Sequence, residues 1–287
     1  MTSQELQERY KEIKDMYLNQ NISSTQIAKI LGAKRYQINY ILEKNNISKT
    51  FSEARREYYL NEHYFDEIDT PNKAYILGFL YADGYNNDIN HTIVLSLQEK
   101  DKDTLEKIRN EIGCEKPLYH IHSINKYDNK PREMESLILA SKHMSETIKK
   151  WGLVPNKTFI IEFPAFLSDE LIPHFIRGYF DGDGCAWIGH NGSKNINSKR
   201  MQVTIMSSML LCKGLKKYLE EKLNIFISLS IPSGHKPENG LIRIEQKQAI
   251  KKFMNYIYKD ADLYMGLCLL CSALMGWMAA EPSNLCR

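Results

Sequence analysis

Two look-alike segments constrain the fold of this chain more than any other feature of its sequence. Residues 74–84 read AYILGFLYADG and residues 174–184 read HFIRGYFDGDG, so that Gly78 recurs as Gly178 at a spacing of 100 residues (178 − 78). Each segment reads as a short apolar helix with small residues four positions apart. Small residues at that spacing flatten one helix face and allow two helices to pack backbone to backbone. The sequence therefore predicts a packed helix pair and a pseudo-two-fold protein.

Both segments end in Asp-Gly, and the aspartates, Asp83 and Asp183, are in register across the repeat. If the helices pack together, the two carboxylates meet at one end of the seam between them. Two carboxylates at close range repel each other unless a cation lies between them, and a divalent metal is the usual solution. The C-terminal end of a helix also has the wrong dipole sign for an unpaired carboxylate. We therefore expect one metal-dependent site on the pseudo-two-fold axis.

These residues resemble the LAGLIDADG homing endonucleases, in particular the single-chain members that carry both copies of the motif. The resemblance covers most of residues 70–262. It implies an α+β fold: a pseudo-two-fold pair of αββαββα repeats with saddle-shaped antiparallel sheets. The first copy departs from the motif at Tyr81, where the second copy keeps an acid, Asp181. Because Asp181 has no counterpart in the first copy, we expect it to cap or pair near the helix end.

The resemblance also implies an activity, the site-specific cleavage of double-stranded DNA by metal-dependent phosphodiester hydrolysis. In the family the last acid of each motif is the metal ligand, and these acids correspond to Asp83 and Asp183. We expect them, with the backbone carbonyls of Ala82 and Gly182, to hold Mg²⁺ ions shared across the axis. Metal-activated water would attack one phosphate in each strand and leave short 3′ overhangs. Mg²⁺ is the one cofactor expected, with no small-molecule cofactor.

Two lysines occupy matching junctions between a strand and a helix. Lys142 follows Asp83 by 59 residues (142 − 83), and Lys247 follows Asp183 by 64 (247 − 183). A cation beside each scissile phosphate would stabilise the pentacoordinate charge and lower the pKa of the attacking water. We therefore expect both lysines to be catalytic. A surface lysine on the first turn of a helix is an equally good reading of each.

The first fifty residues read as a separate helix-turn-helix module. A helix capped by Ser24 leads to a turn at Gly32, and a second helix follows at the spacing of many DNA-binding modules. The outward face of the second helix is basic and amide-rich, which favours DNA contact over a plain three-helix bundle. The candidate contacts on that face are Lys34, Arg35, Tyr36, Gln37, Asn39 and Tyr40. The apolar positions expected in the core are Ile27, Ala28, Leu31, Ile38, Ile41 and Leu42.

Strand-like segments follow each motif helix and alternate apolar with polar residues, which predicts sheets with one buried face. In the resembled family such sheets lie along the major groove, and a two-stranded β-ribbon fits that groove. The candidate DNA contacts from these strands and their loops are Lys126, Arg200, Gln202, Thr204 and Arg243. Taken singly, each is more simply read as a solvated residue.

The chain divides by sequence into five segments. We expect a helix-turn-helix module at 1–50, a connector at 51–70, a first repeat at 71–164, a second repeat at 165–264 and an atypical apolar tail at 265–287. Residues 152–164 read as the linker between the repeats. The stretch 265–280 carries no charge. We favour a buried helix or an altered sequence over a membrane span there, because basic anchors are missing.

Composition is compatible with this organisation without demonstrating it. A chain of 287 residues can bury a core in two halves and a small module. Its net charge of +3 is only mildly basic, so a phosphate-binding surface has to come from local clustering. Six scattered cysteines suit a reducing compartment, and no secretory segment opens the chain. We therefore expect a cytoplasmic monomer that binds double-stranded DNA and no membrane.

Two other classes of function stay open. A sequence-specific DNA-binding regulator of the same fold would not need the two aspartates, so the presence of both counts against that class. An intron RNA-splicing helper of the same fold would bind RNA without cutting DNA. Protection of intron RNA in the absence of DNA cleavage would identify it.

Overall fold

A computed structural model describes residues 3–18, 22–45, 47, 58–124, 131–155, 157–190 and 199–265 of the chain. These residues divide into two compact units, residues 1–59 and residues 60–287. The tail beyond residue 265 lies outside the described residues. Within the described part of the chain, no helix combines the length and the apolarity needed to cross a membrane.

The described residues of the first unit form four helices: α1 (Ser3–Glu8), α2 (Tyr10–Leu18), α3 (Ser24–Leu31) and α4 (Arg35–Lys44). All six apolar positions expected in the core of α3 and α4 are buried. Gly32 adopts the left-handed conformation at the turn, with a φ of 61°. The predicted cap at Ser24 was wrong by one residue. The N-cap is Ser23, whose hydroxyl accepts a hydrogen bond from the Gln26 N–H at 3.3 Å.

The second unit contains two consecutive sets of elements in the same order. The first set is α5 (Pro71–Asp83), β1 (Gly84–Asn87), β2 (Thr92–Gln98), α6 (Lys102–Ile112), β3 (Tyr119–Ile124), β4 (Pro131–Ala140) and α7 (Lys142–Lys150). The second set is α8 (Ile172–Asp183), β5 (Gly184–His190), β6 (Lys199–Ser208), α9 (Met209–Leu223), β7 (Ser228–Ser230), β8 (Asn239–Ile244) and α10 (Lys247–Tyr258). The αββαββα order expected from the sequence is therefore present twice.

The strands of each set form a four-stranded antiparallel sheet, with the order β1-β2-β4-β3 in the first sheet and β5-β6-β8-β7 in the second. In β2, Ile93, Leu95 and Leu97 are buried, and the residues between them are half-buried on the opposite face. Side chains alternate between the faces of a strand, so one face of each sheet packs on helices and the other is left for contacts.

Helices α5 and α8 pack against each other along a seam at the centre of this unit. Thr70 caps α5 by accepting from the Lys73 N–H at 3.3 Å, and Pro71 opens the helix. A β-carbon on Gly78 would lie 2.0 Å from the Phe175 carbonyl oxygen, and one on Gly178 would lie 1.9 Å from the Tyr75 carbonyl oxygen. Neither position accepts a larger residue, so the two backbones are held in direct contact.

Arg177 ties α8 to the end of the described chain. Its side chain is fully buried, and its guanidinium donates to the carbonyls of Leu263 at 3.0 Å and Ile257 at 2.9 Å. Its charge also lies over the ring of Tyr75, 5.2 Å from the centroid. Burying a cation is costly unless it is hydrogen-bonded, so these contacts favour holding α10 and the residues after it against α8.

Candidate metal and nucleic-acid site

The seam between α5 and α8 brings the two motif aspartates together. Asp83 is the last residue of α5, and Asp183 is the last residue of α8. A β-carbon on Gly182 would lie 2.5 Å from the Ala82 β-carbon and 3.0 Å from Asp83 Oδ2. The small residues at these positions therefore allow the helix ends to close on each other. Both aspartates remain exposed to solvent, so a ligand can reach them.

The surroundings disfavour two full negative charges at this point. Packed protein removes part of the hydration of Asp83, and repulsion from Asp183 adds to that effect, so that its pKa rises to about 6. Lost hydration also raises the pKa of Asp183. Lys157 opposes the rise in the pKa of both aspartates, and at Asp183 a hydrogen bond from the Tyr179 hydroxyl at 3.3 Å does so too. A carboxylate pair with raised pKa values is a favourable place for a cation.

Lys157 is the cation that lies beside these carboxylates, and the sequence analysis did not select it. It is half-buried at the start of a short 3-10 turn, Lys157–Phe159, in the linker between the repeats. Its ammonium donates to the carbonyl of Tyr81 at 2.5 Å and to that of Ala82. Burial lowers its pKa, and attraction to both aspartates opposes that change. A cation at these last carbonyls of α5 is also favoured by the helix dipole.

A signal for Lys157 was present in the sequence. It is the one basic residue between Pro155 and Pro164, in a stretch that is otherwise mainly apolar. The candidate lysines were chosen for having a partner in the other copy. Lys157 lies in the linker at the end of the first repeat and has no such partner.

The two lysines selected by symmetry lie elsewhere. Lys142 is exposed at the first position of α7, and its ammonium lies 3.8 Å from a Glu146 carboxylate oxygen. Lys247 is half-buried at the first position of α10. Neither is among the charges that shift the pKa of the two aspartates. Their catalytic role stays a prediction that the structure does not support with a contact.

Asp181 occupies a different environment from the paired aspartates. Its carboxylate accepts hydrogen bonds from the Tyr75 hydroxyl at 2.9 Å, from the Met265 N–H at 2.8 Å and from the Tyr258 hydroxyl. Three donors from three parts of the chain give this acid a structural role at the seam. That is the pairing role expected for the acid with no counterpart in the first copy.

The outer face of the second sheet carries polar side chains beside the exposed Trp187 and Met206. Met201, Val203 and Ile205 of β6 are buried, and the residues that alternate with them point to the other side. Thr204 stands opposite Arg243 of β8 in the ladder. Of the predicted contacts, the structure therefore brings four to this one face: Arg200, Gln202, Thr204 and Arg243. Lys126 lies outside the described residues.

The predicted contact residues of α4 also lie at its surface. Tyr36 and Tyr40 are 66% and 59% exposed, and Lys34 and Arg35 are exposed beside them. Gln37 is half-buried, and its side-chain oxygen accepts from the Lys34 N–H at 2.9 Å. Asn39 is half-buried. The outward surface is thus basic and aromatic. The side-chain oxygen of Gln37 is already used in a hydrogen bond at the start of the helix.

Several solved structures are similar to this chain. The LAGLIDADG meganuclease I-AabMI bound to uncleaved DNA is 13% identical, with 74% of this chain and 90% of that chain covered and a TM-score of 0.47. The homing endonuclease I-LtrWI bound to target DNA is 14% identical, with coverages of 77% and 92% and a TM-score of 0.49. I-SmaMI bound to cleaved DNA is 15% identical, with coverages of 74% and 88% and a TM-score of 0.46.

All three are LAGLIDADG proteins. No protein-family model matches the chain, and no curated protein matches it.

Proposed function

We propose that the protein is a homing endonuclease that cleaves double-stranded DNA at a specific site by metal-dependent phosphodiester hydrolysis. One observation carries the proposal: two aspartates end two helices whose backbones are in contact, and the pKa values of both are raised. A helix pair that served only to pack would be more stable with neutral side chains at that point. The carboxylates are therefore explained by a ligand rather than by the fold.

The donors at the seam suit a hard divalent cation. Asp83 and Asp183 offer carboxylate oxygens, and Mg²⁺ prefers oxygen ligands. Lys157 adds one positive charge beside two ionised carboxylates, so the group keeps a net negative charge that a metal would neutralise. Asp83 and Asp183, with the carbonyls of Ala82 and Gly182, would hold the ion. When bound, Mg²⁺ would supply Lewis-acid stabilisation of the phosphate and lower the pKa of a bound water.

Lys157 would contribute directly to the chemistry. Its ammonium is held at the end of α5 by two carbonyls, so its position is fixed before any substrate binds. A cation preorganised beside a phosphate stabilises the charge that develops in the transition state. The carbonyl of Ala82 accepts from this ammonium and would also be a ligand of the proposed metal, so occupancy of the metal site would affect the position of the lysine.

Duplex binding would use the outer faces of the two sheets, with phosphate contacts fixing register and polar side chains reading base edges. In the first unit, α4 would act as the recognition helix of a helix-turn-helix module at residues 1–50, followed by a connector at 51–70. The repeats would occupy 71–164 and 165–264. Since one chain supplies both aspartates, we propose a monomer, encoded within an intron and active in the cytoplasm.

The test is cleavage of a randomised duplex library in the presence of Mg²⁺, with sequencing of the cut ends. The native chain is compared with Asp83→Asn, Asp183→Asn and the control Asp103→Asn, an exposed acid on α6. The proposal requires cut ends that share a sequence, that need the metal and that disappear in the first two variants only. Selective DNA binding without cleavage would contradict the endonuclease and leave a regulator. Protection of intron RNA without cleavage would indicate a splicing helper.

A further inference from the structure

Three metal-ligating side chains converge outside the aspartate pair. His63 and Asp66 belong to the turn that precedes α5, and His143 lies on the first turn of α7. His63 Nδ1 is 2.7 Å from Asp66 Oδ2, and His143 Nε2 is 2.5 Å from Asp66 Oδ1. The three ligand atoms lie within 4.8 Å of one another. Across the described ranges, no other group of three histidines, cysteines or acids is this close.

The turn that carries His63 and Asp66 is held in place by its neighbours. Phe65 is fully buried, and its carbonyl accepts a hydrogen bond from Trp151 Nε1 at 2.7 Å. Tyr64 is buried, with its hydroxyl 3.2 Å from Glu111 Oε1. The two residues between the ligands are thus anchored in the core, and both ligands are forced outward.

The helix that carries His143 is anchored by its N-cap residue, Ser141. Ser141 caps α7 by accepting from the Met144 N–H at 3.2 Å, and its hydroxyl donates to Glu62. Glu62 directly precedes His63, so a buried hydrogen bond joins the two elements right beside the cluster. The ligands therefore converge before any ion binds, which lowers the ordering cost of binding.

The donor set determines which ions would bind. Two imidazole nitrogens and one carboxylate oxygen are the ligands of a three-residue zinc site, with a fourth position open to water. Imidazole suits zinc and other late transition metals, whereas magnesium prefers oxygen ligands. A zinc ion needs ligand atoms at about 2.0–2.2 Å, so the donors would spread from their present hydrogen-bond contacts by about 1 Å. All three side chains are exposed and free to make that adjustment.

We propose that His63, Asp66 and His143 form a binding site for a zinc-class transition-metal ion. The ion would replace the protons that now lie between the imidazoles and the Asp66 carboxylate. It would link the turn before α5 to the start of α7 and would stabilise the second unit by mass action. The proposal does not depend on nuclease activity.

The probe is Co²⁺, whose visible absorption reports ligation by imidazole, with Zn²⁺ added to displace it. The full chain carries Asp83→Asn and Asp183→Asn in every sample, so that the aspartate pair does not contribute. In this background we expect one Co²⁺ per chain, displaced by Zn²⁺ and not by Mg²⁺, and a rise in melting temperature with Zn²⁺. His63→Ala and His143→Ala should each weaken Co²⁺ binding by about tenfold or more.

His235→Ala removes an exposed histidine outside the cluster and should leave Co²⁺ binding unchanged. Far-UV circular dichroism checks that each variant is folded, which we expect because the substituted side chains are exposed. Unchanged Co²⁺ binding in His63→Ala and His143→Ala would overturn the assignment. Binding that is lost instead in His122→Ala would also overturn it, since it would place the ion beside the Glu133 carboxylate that contacts His122.

Discussion

Asp83 and Asp183 end equivalent helices in the two repeats, yet their surroundings differ, and one difference is a hydroxyl group. Asp183 accepts a hydrogen bond from Tyr179, four residues earlier on the same helix, and that bond opposes the rise in its pKa. The equivalent residue in the first repeat is Phe79, which has no hydroxyl to donate. The two carboxylates proposed to share metal ions are therefore not electrostatically equivalent.

The outer faces of the two sheets differ more strongly. In the first repeat, Tyr85 lies in a rung of the sheet with Val94 and Ile138. The equivalent rung of the second repeat contains Thr204 and Arg243. One rung is apolar and aromatic where the other is polar and charged. Packing at the glycine seam constrains both repeats alike, whereas this rung on the solvent face carries no such constraint.

The largest expected effect concerns the lysine that has no symmetry partner. Lys157→Met should lower the cleavage rate at saturating DNA by about 10²–10³-fold, because it removes a preorganised cation from the proposed phosphate site. Lys142→Met and Lys247→Met are the matched controls, and each should lose less activity than Lys157→Met, because neither lysine is among the charges that shift the pKa of the two aspartates. Single-turnover kinetics provide the measurement. A greater loss of activity in either control than in Lys157→Met would instead support the catalytic role predicted for Lys142 and Lys247.

The seam can be tested by adding one methyl group to each side. Gly78→Ala and Gly178→Ala each drive a β-carbon into a backbone carbonyl, so each should reduce the free energy of unfolding by about 3 kcal/mol. Urea denaturation measures the loss, with Lys213→Ala, an exposed change on α9, as the control. If the two substitutions reduce the free energy of unfolding by very different amounts, the two repeats do not depend equally on this contact.

The difference between these two rungs predicts that substitutions on them change the salt dependence of DNA binding differently. Arg243→Ala should weaken binding to the target duplex by about 1–3 kcal/mol if the side chain reads a base, or reduce the salt slope by about one if it contacts a phosphate. Ile138→Ala, on the apolar rung, should leave the salt slope unchanged. Binding titrations at several salt concentrations distinguish these results. An affinity and a salt slope for Arg243→Ala that both equal those of the native protein would remove the functional difference between the two faces.

The smallest expected effect is on stability as a function of pH. The folded-state pKa of Asp83, about 6, lies above its ordinary value, so its contribution to stability is fully present below the unfolded-state pKa and is lost as pH rises through about 6. Metal-free native protein should therefore gain stability from this group as pH falls from 7 towards 4. Asp83→Asn should remove that gain, which melting curves across the interval would show. A variant as pH-dependent as the native chain would exclude Asp83 as the source.

Much of the fold could be predicted from the sequence because it repeats. The register of Gly78 with Gly178 fixed the seam, and the alternation of β6 placed Thr204 on an outer face. The cation at the site could not be found in this way, since Lys157 lies in the linker at the end of the first repeat and has no counterpart in the second. The His63, Asp66 and His143 cluster was also beyond prediction, because its third member lies 77 residues after the second (143 − 66). Bringing such residues together requires the tertiary fold.

The position of Lys157 gives the linker a second role that matters for protein engineering. A chain with two repeats invites division into separately expressed halves, and the loop between α7 and α8 is the obvious place to cut. Here that loop supplies the ammonium that contacts the end of α5. A break or a change of length in it would alter the charge beside the aspartates as well as the tether. Interchangeable halves of this protein would have to keep the segment around Lys157 attached to the first repeat.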